Sequence, residues 1–270
     1  MSPLLLALLA LALCGVLFAA CFRFARRIDN YGVVDVVWSY AFGPVAALYA
    51  LLSTDGWLPR RILIAVVAVL WSARLGTYLC RRVASHHPEE DGRYREMRRR
   101  WSKNFTAEMF RFYQFQAASV VVLATPFLLA VGRPEARFTA VDWIALALFL
   151  VAQTGEAVAD AQLASFKKKP ANRGRVCDAG LWALSRHPNY FFVSLTWLGF
   201  ALFALPATWG WLGLVAPAAI LHLLLFVTGI PMTEEQALRT KGEAYRDYQR
   251  RVSAFVPWFP KAKRQSGETS

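Results

Sequence analysis

The sequence predicts an all-α integral membrane protein of about seven transmembrane helices. Three observations carry that expectation. Of the 270 residues, 56% are hydrophobic and only 18% charged, a balance that leaves too little polar surface for a soluble domain of this length. The apolar residues come in long blocks rather than dispersed. The Lys and Arg residues concentrate in alternate connections between those blocks.

The blocks lie at 3–22, 33–53, 61–80, 112–131, 141–158, 190–207 and 209–228. Most match the roughly 20 residues that a helix needs to cross about 30 Å of hydrocarbon. The first block has no basic stretch before it and ends in RFARR, so it reads as a retained span rather than a cleaved signal. FAAC, at Phe18 to Cys21, is a poor lipoprotein box because Phe fills its first position. The last two blocks are separated only by LPATW, which predicts a tight hairpin. The longest polar connection, 81–111, contains RYREMRRRW, whose close positive charges and flanking aromatics predict an interfacial helix. No repeat interrupts the chain, so 1–270 reads as a single membrane domain.

With seven crossings, connections 23–32, 81–111 and 159–189 share one side with the tail from 229 onward. These segments hold 26 of the 31 Lys and Arg residues, the opposite connections hold four, and Arg74 lies within a span. That asymmetry predicts an N-terminus outside and a C-terminus in the cytoplasm, as in a bacterial inner membrane. It also accounts for the formal charge of +13 without nucleic acid as a partner. Membrane lipids and a lipid-like substrate are the expected partners; the sequence leaves the oligomeric state open.

Cys14, Cys21, Cys80 and Cys177 form no CxxC pair and read as small packing residues. His86–His87–Pro88 and the single His187 lack further ligands at metal spacing, so no metal site is expected. No GxGxxG or GxxxxGK unit is present, which excludes Rossmann and P-loop nucleotide sites.

Ionisable residues inside apolar blocks are costly and therefore mark function. Asp35 and Arg74 lie within early spans, with Tyr40 five residues beyond Asp35. Glu156 and Asp160 are four apart and share a helix face at the cytoplasmic end of the fifth block, with Gln153 and Gln162 extending the strip. SRHPNY, containing Arg186, His187, Asn189 and Tyr190, runs directly into the next apolar block. Beyond the last span come Glu234 and Glu235, then Tyr245 and Tyr248 three apart on an amphipathic helix. Acids, Arg and His gathered on one side predict a cytoplasmic cofactor pocket: cations for phosphates, carboxylates for ribose hydroxyls or an amine.

Taken together, GLWALSRHPNYF and EEQALRTKGEAYRDYQRRVSAFVPWFP resemble the bacterial membrane family with a steroid 5-alpha-reductase-like C-terminal domain, the DUF1295 type. NYGVVDVVWSYAF, LWSARLGTYLCRR and DGRYREMRRRW extend the resemblance over about residues 28–260, with 112–260 as the reductase-like region. The chain is more distantly similar to isoprenylcysteine carboxyl methyltransferases. The resemblance implies a helical membrane enzyme in which NADPH reduces a carbon–carbon double bond of a lipid-like or steroid-like enone. Its cofactor positions carry over to Asp160, Arg186, His187, Asn189 and Tyr190, and its tail motif to Glu235, Tyr245 and Tyr248.

One departure stands out. Relatives commonly continue HPNY as Phe, Gly, Glu; here Phe191 is followed by Phe192 and Val193. The loss of that carboxylate keeps an S-adenosylmethionine-dependent methyltransferase as the alternative, with a non-catalytic membrane interaction protein as a second. For the reductase, Asp35, Tyr40 and Arg74 are the expected catalytic residues, and a protonated Asp35 in an apolar pocket is the expected donor to the developing enolate.

Overall fold

The structure is a computed structural model that describes residues 1–261. It is all-α. In chain order the helices are α1 (Pro3–Ile28), α2 (Val33–Leu52), α3 (Leu58–His86), α4 (Gly92–Arg100), α5 (Phe105–Leu123), α6 (Thr125–Val131), α7 (Ala140–Lys168), α8 (Leu181–Leu184), α9 (Pro188–Ala204), α10 (Val215–His222), α11 (Ile230–Lys241) and α12 (Glu243–Arg251).

Among the described residues, six helical segments are long and apolar enough to cross a membrane: Pro3–Ile28, Val33–Leu52, Leu58–His86, Phe105–Val131, Ala140–Lys168 and Gly210–Lys241. The protein is therefore an integral membrane protein. The expected seventh span, 190–207, corresponds to the shorter α9. Its 17 residues reach only about 25 Å as helix. α1, α3 and α7 begin within three residues of their expected apolar blocks and run past their ends, whereas Phe105–Val131 starts seven residues before its block and ends with it. α3 continues from Leu58 to His86 because backbone hydrogen bonds carry it beyond the last apolar turn.

The chain divides into two compact units: Met1–Asp142 with Ala201–Ala216, and Trp143–Phe200 with Pro217 onward.

In the first unit, α2 meets a chemical problem at Pro44, which has no N–H for the carbonyl of Tyr40. In hydrocarbon an orphaned carbonyl is costly. Ser72 of α3 answers it: its hydroxyl donates towards the carbonyls of Ser39 (2.7 Å) and Tyr40 (3.0 Å), and its oxygen accepts from the Gly43 N–H. At one end of the unit, two arginines are sealed in: Arg60 is 0% and Arg133 1% exposed. Arg133 Nη1 donates to Asp142 Oδ1 at 2.6 Å and Arg60 Nη2 to Asp142 Oδ2 at 3.4 Å. The carbonyls of Arg133, Glu135 and Phe203 accept further bonds from this pair. Elsewhere in the unit α4 is fastened to the α1–α2 turn. Arg98 donates to Glu90 Oε2 at 2.8 Å and to Asp29 Oδ1 at 2.7 Å, and Glu90 Oε1 accepts the Tyr31 N–H at 2.8 Å.

In the second unit, α7 and α9 run antiparallel, and three contacts fix their register. Gln153 donates to Thr196 Oγ1 at 2.8 Å, Gly155 faces the Phe192 ring, and Asn189 lies 3.5 Å from Asp160 Oδ1. The helix after α10 widens into one π turn at Leu223–Val227, closed by Thr228 N–H donating to the Leu223 carbonyl. Gly229 follows, where a Cβ would stand 2.3 Å from the Leu224 carbonyl oxygen. Only glycine permits that approach, and the chain then re-enters helix at Ile230–Pro231.

Candidate functional site

The polar centre of the second unit is Glu234. It projects from α11 in phase with Ala237 and Leu238, which pack on a small core of Tyr245, Tyr248 and Val252. Its Oε1 accepts from Arg186 Nε at 2.6 Å, lies 3.2 Å from His187 Nε2 and 3.5 Å from the Tyr245 hydroxyl. Its Oε2 accepts from Gln249 Nε2 at 2.7 Å. Arg186 Nη1 donates to the carbonyls of Gln249 (3.1 Å) and Val252 (2.6 Å). His187 is 2% exposed and its ring stacks on Tyr190, centroids 5.3 Å apart and planes 8° apart. The Tyr190 hydroxyl reaches Thr233 Oγ1 at 3.1 Å.

Backbone bonds complete the clasp. Arg186 N–H donates to the Ser253 carbonyl, Trp258 N–H to the Leu184 carbonyl, and Ser185 Oγ to the Phe255 carbonyl. The Tyr248 hydroxyl donates to the Trp182 carbonyl. Burial raises the pKa of Tyr245, with the Glu234 charge adding to it, and burial likewise raises that of Tyr248. Both hydroxyls therefore remain donors at neutral pH.

Of the nine residues expected to bind a cofactor, Arg186, His187, Tyr190 and Tyr245 meet around Glu234, and Tyr248 packs beside them. Glu156 and Asp160 lie on α7, where Gln153 Nε2 is 3.4 Å from Glu156 Oε2 and Asn189 faces Asp160. Glu156 is buried at 3% exposure. Glu235 stands apart: it points outward and pairs with Arg239 at 2.6 Å. The residue that organises the tail is its neighbour Glu234. Helical phase carried that signal, since 234, 237, 238 and 241 follow the i, i+3, i+4, i+7 spacing of a packed face, whereas 235 and 239 fall on the other side.

Phe192, bulky where the resemblance leads one to expect glycine, finds its space across the helix pair. A Cβ on Gly155 would lie 2.3 Å from the Phe192 ring. The notch on α7 thus seats the extra ring of α9.

A second feature of this unit escaped the sequence reading. After α7 the chain turns through Pro170–Asn172 and Gly174, at φ +76°, and folds back beside α7. Two adjoining clefts result, of about 460 and 500 Å³, sharing Phe166, Lys169, Asn172 and Cys177. The larger is ringed by Lys167, Lys168, Lys169, Arg173, Arg175 and Lys241; the other reaches along α7 to Gln162 and Val158. Neither has an Asp or Glu in its lining. Burial raises the pKa of the Cys177 thiol, so it sits in the cleft as a protonated, unreactive group. Cys14 and Cys21 are buried as expected of packing residues, whereas Cys80 is exposed on α3.

The three residues expected to be catalytic belong to the first unit. Asp35, in the first turn of α2, accepts from Arg93 Nη2 and from the Tyr94 hydroxyl, each at 2.7 Å. Its surroundings are a cation and a phenol, not the apolar pocket that a protonated acid requires. Tyr40 lies over Gly76 of α3, and its hydroxyl meets Thr77 Oγ1 at 2.8 Å. Arg74 is half-buried on α3.

The family model described as "Protein of unknown function (DUF1295)" matches residues 21–252. The chain is also similar to "Uncharacterized protein C594.04c" of Schizosaccharomyces pombe, with 31% identity over 227 residues, 73% of this chain and 63% of that protein. The similarity thus covers less than two thirds of that relative's length. No solved structure matches the chain.

Proposed function

The chain belongs to the DUF1295 family, and from that premise we propose that it is a membrane oxidoreductase in which NADPH reduces a carbon–carbon double bond of a lipid-like or steroid-like enone. The all-α membrane fold is compatible with the steroid 5-alpha-reductase-like proteins. The observation that carries the cofactor assignment is the acid-free cleft ringed by six Lys and Arg residues. A dinucleotide with a 2′-phosphate brings several negative charges, and cations without acidic neighbours suit them. S-adenosylmethionine carries no phosphate and would leave those six charges unanswered.

The donor set fits NADPH. Lys167, Lys169, Arg173, Arg175 and Lys241 would hold phosphates, while Asp160 and Asn189 offer an acceptor and an amide for ribose or carboxamide groups. When bound, the nicotinamide supplies a hydride. Arg186 and His187, committed to Glu234, brace the turn before α9 and so set the direction in which Asn189 and Tyr190 leave it. In the first unit, the Tyr40 hydroxyl and the Arg74 guanidinium are donors of the kind that stabilise a developing enolate oxygen. Asp35, whose oxygens both accept bonds, would act by positioning Tyr94 and Arg93. With α9 counted as a seventh, short crossing, the Lys and Arg distribution supports an N-terminus outside and a C-terminus in the cytoplasm, as in a bacterial inner membrane.

Equilibrium binding to the purified protein tests this reading. Saturable NADPH binding, weaker NADH binding and none of S-adenosylmethionine are expected. Binding of S-adenosylmethionine without NADPH would establish the methyltransferase alternative, and a folded sample that binds neither would leave a non-catalytic membrane role.

A further inference from the structure

The extramembrane segment between α3 and α5 has two contrasting sides. The inner side of α4 is consumed in specific bonds: Arg93 and Tyr94 to Asp35, Arg98 to Glu90 and Asp29. Arg98 also lies over the rings of Tyr31 and Phe105, 4.8 and 5.1 Å from their centroids. These contacts fix the rotation of the helix. With that rotation set, Arg95 and Arg100 face outward and are exposed, as are Lys103 in the turn after α4 and Arg81 near the end of α3. Arg99 is exposed too, meeting Glu96 at a loose 3.5 Å.

Because α3 and α5 both belong to membrane-crossing helices, α4 is tethered within a few residues of the head-group layer at each end. Cations held there, on a helix whose roll is fixed by its opposite side, complement a negatively charged leaflet.

We propose that the outward face of α4 and the turn after it, through Arg95, Arg100 and Lys103, form a binding surface for anionic phospholipid head groups. The anion is the phosphate of a lipid in the bilayer, not a soluble phosphate. Lipid held on this face also steadies α4 in its contact with Asp35, so leaflet charge stabilises the Asp35–Arg93–Tyr94 contact. The inference is independent of the cofactor assignment, which rests on the second unit.

The test uses the full chain in nanodiscs of phosphatidylcholine alone or mixed with phosphatidylglycerol. Lipid retained by the purified protein is counted by native mass spectrometry. Wild type is expected to retain phosphatidylglycerol in preference to phosphatidylcholine, to lose that preference with salt, and to keep it in the presence of inorganic phosphate. Combined Arg95→Gln, Arg100→Gln and Lys103→Gln should lower the preference by about fivefold for each charge removed, whereas Lys replacements of the two arginines should preserve it. Hydrogen exchange in wild type gives a readout that needs no variant: amides of Gly92–Arg100 should exchange more slowly in the phosphatidylglycerol discs. Equal exchange in both discs, displacement by inorganic phosphate, or a preference lost only when Lys167, Lys169 and Arg173 are neutralised would overturn the proposal.

Discussion

Two clusters of basic residues in this protein obey opposite rules. Around Asp142, Arg60 and Arg133 are sealed from solvent and supplied with carboxylate and carbonyl acceptors from their own unit. Around the clefts beyond α7, six cations ring a volume of about 500 Å³ with no acid in its lining. Charge answered within the fold acts as structure, since removing one partner leaves a buried ion. Under the proposed function, charge gathered without an acid takes up an anion from outside. The contrast separates residues that hold the protein together from those that a ligand would use, although all are Lys or Arg.

The sharpest break of that distinction is Asp142→Asn. It removes the buried carboxylate that Arg60 and Arg133 share and leaves them only that of the part-exposed Glu135, so a loss of about 3 kcal/mol is expected, read as a lower melting temperature in detergent. Glu234→Gln comes next. It weakens a charge-assisted cluster and should cost roughly 2 kcal/mol, whereas Glu235→Gln, at an exposed pair, should stay within about 0.5 kcal/mol. Equal effects of the two substitutions would remove Glu234 from the centre of its cluster. Neutralising Lys167, Lys169 and Arg173 together should leave the melting temperature nearly unchanged yet weaken NADPH binding by roughly tenfold or more, about 1.4 kcal/mol. A large loss of stability with unaltered binding would reverse the contrast.

The smallest effect concerns pH. Burial pushes the Asp91 carboxyl up, but the Arg93 N–H bond and the charges of Arg93 and Arg82 outweigh it and hold its pKa below the usual carboxylate value. The stability it contributes is present above the ordinary carboxylate pKa, about 4, and is lost as pH falls through the lower folded-state value. Protection of the Gly92–Arg100 amides, measured against the intrinsic exchange rate at each pH, should therefore fall in acid, and Asp91→Asn should flatten that dependence.

The membrane class was legible because hydropathy is a local property. The starts of α1 and α2 coincide with their apolar blocks, and the LPATW break separates α9 from the helix beginning at Gly210. The far ends were less legible, since α7 continues to Lys168 through polar residues that hydropathy assigns to a connection. In the site, the grouping of Arg186, His187, Tyr190 and Tyr245 was readable as shared chemistry. Choosing between Glu234 and Glu235 required helical phase. The basic cleft was hidden for another reason: Lys167–Lys169, Arg175 and Lys241 are separated in sequence, and only the return of the chain after Pro170 gathers them. Likewise, nothing local to SRHPNYFFV announces that Phe192 has a seat on Gly155, thirty-seven positions earlier.

That seat has a consequence for hydration. The ring lies between the Gln153–Thr196 and Asp160–Asn189 contacts, on a helix pair that also buries Glu156. Trimming Phe192 to glycine would vacate a ring-sized space in this polar neighbourhood. An apolar void of that size stays dry, but one with amide and carboxylate groups on its walls admits water. Phe192, half-buried in this pair, is therefore expected to act as a stopper, its removal admitting solvent along α7.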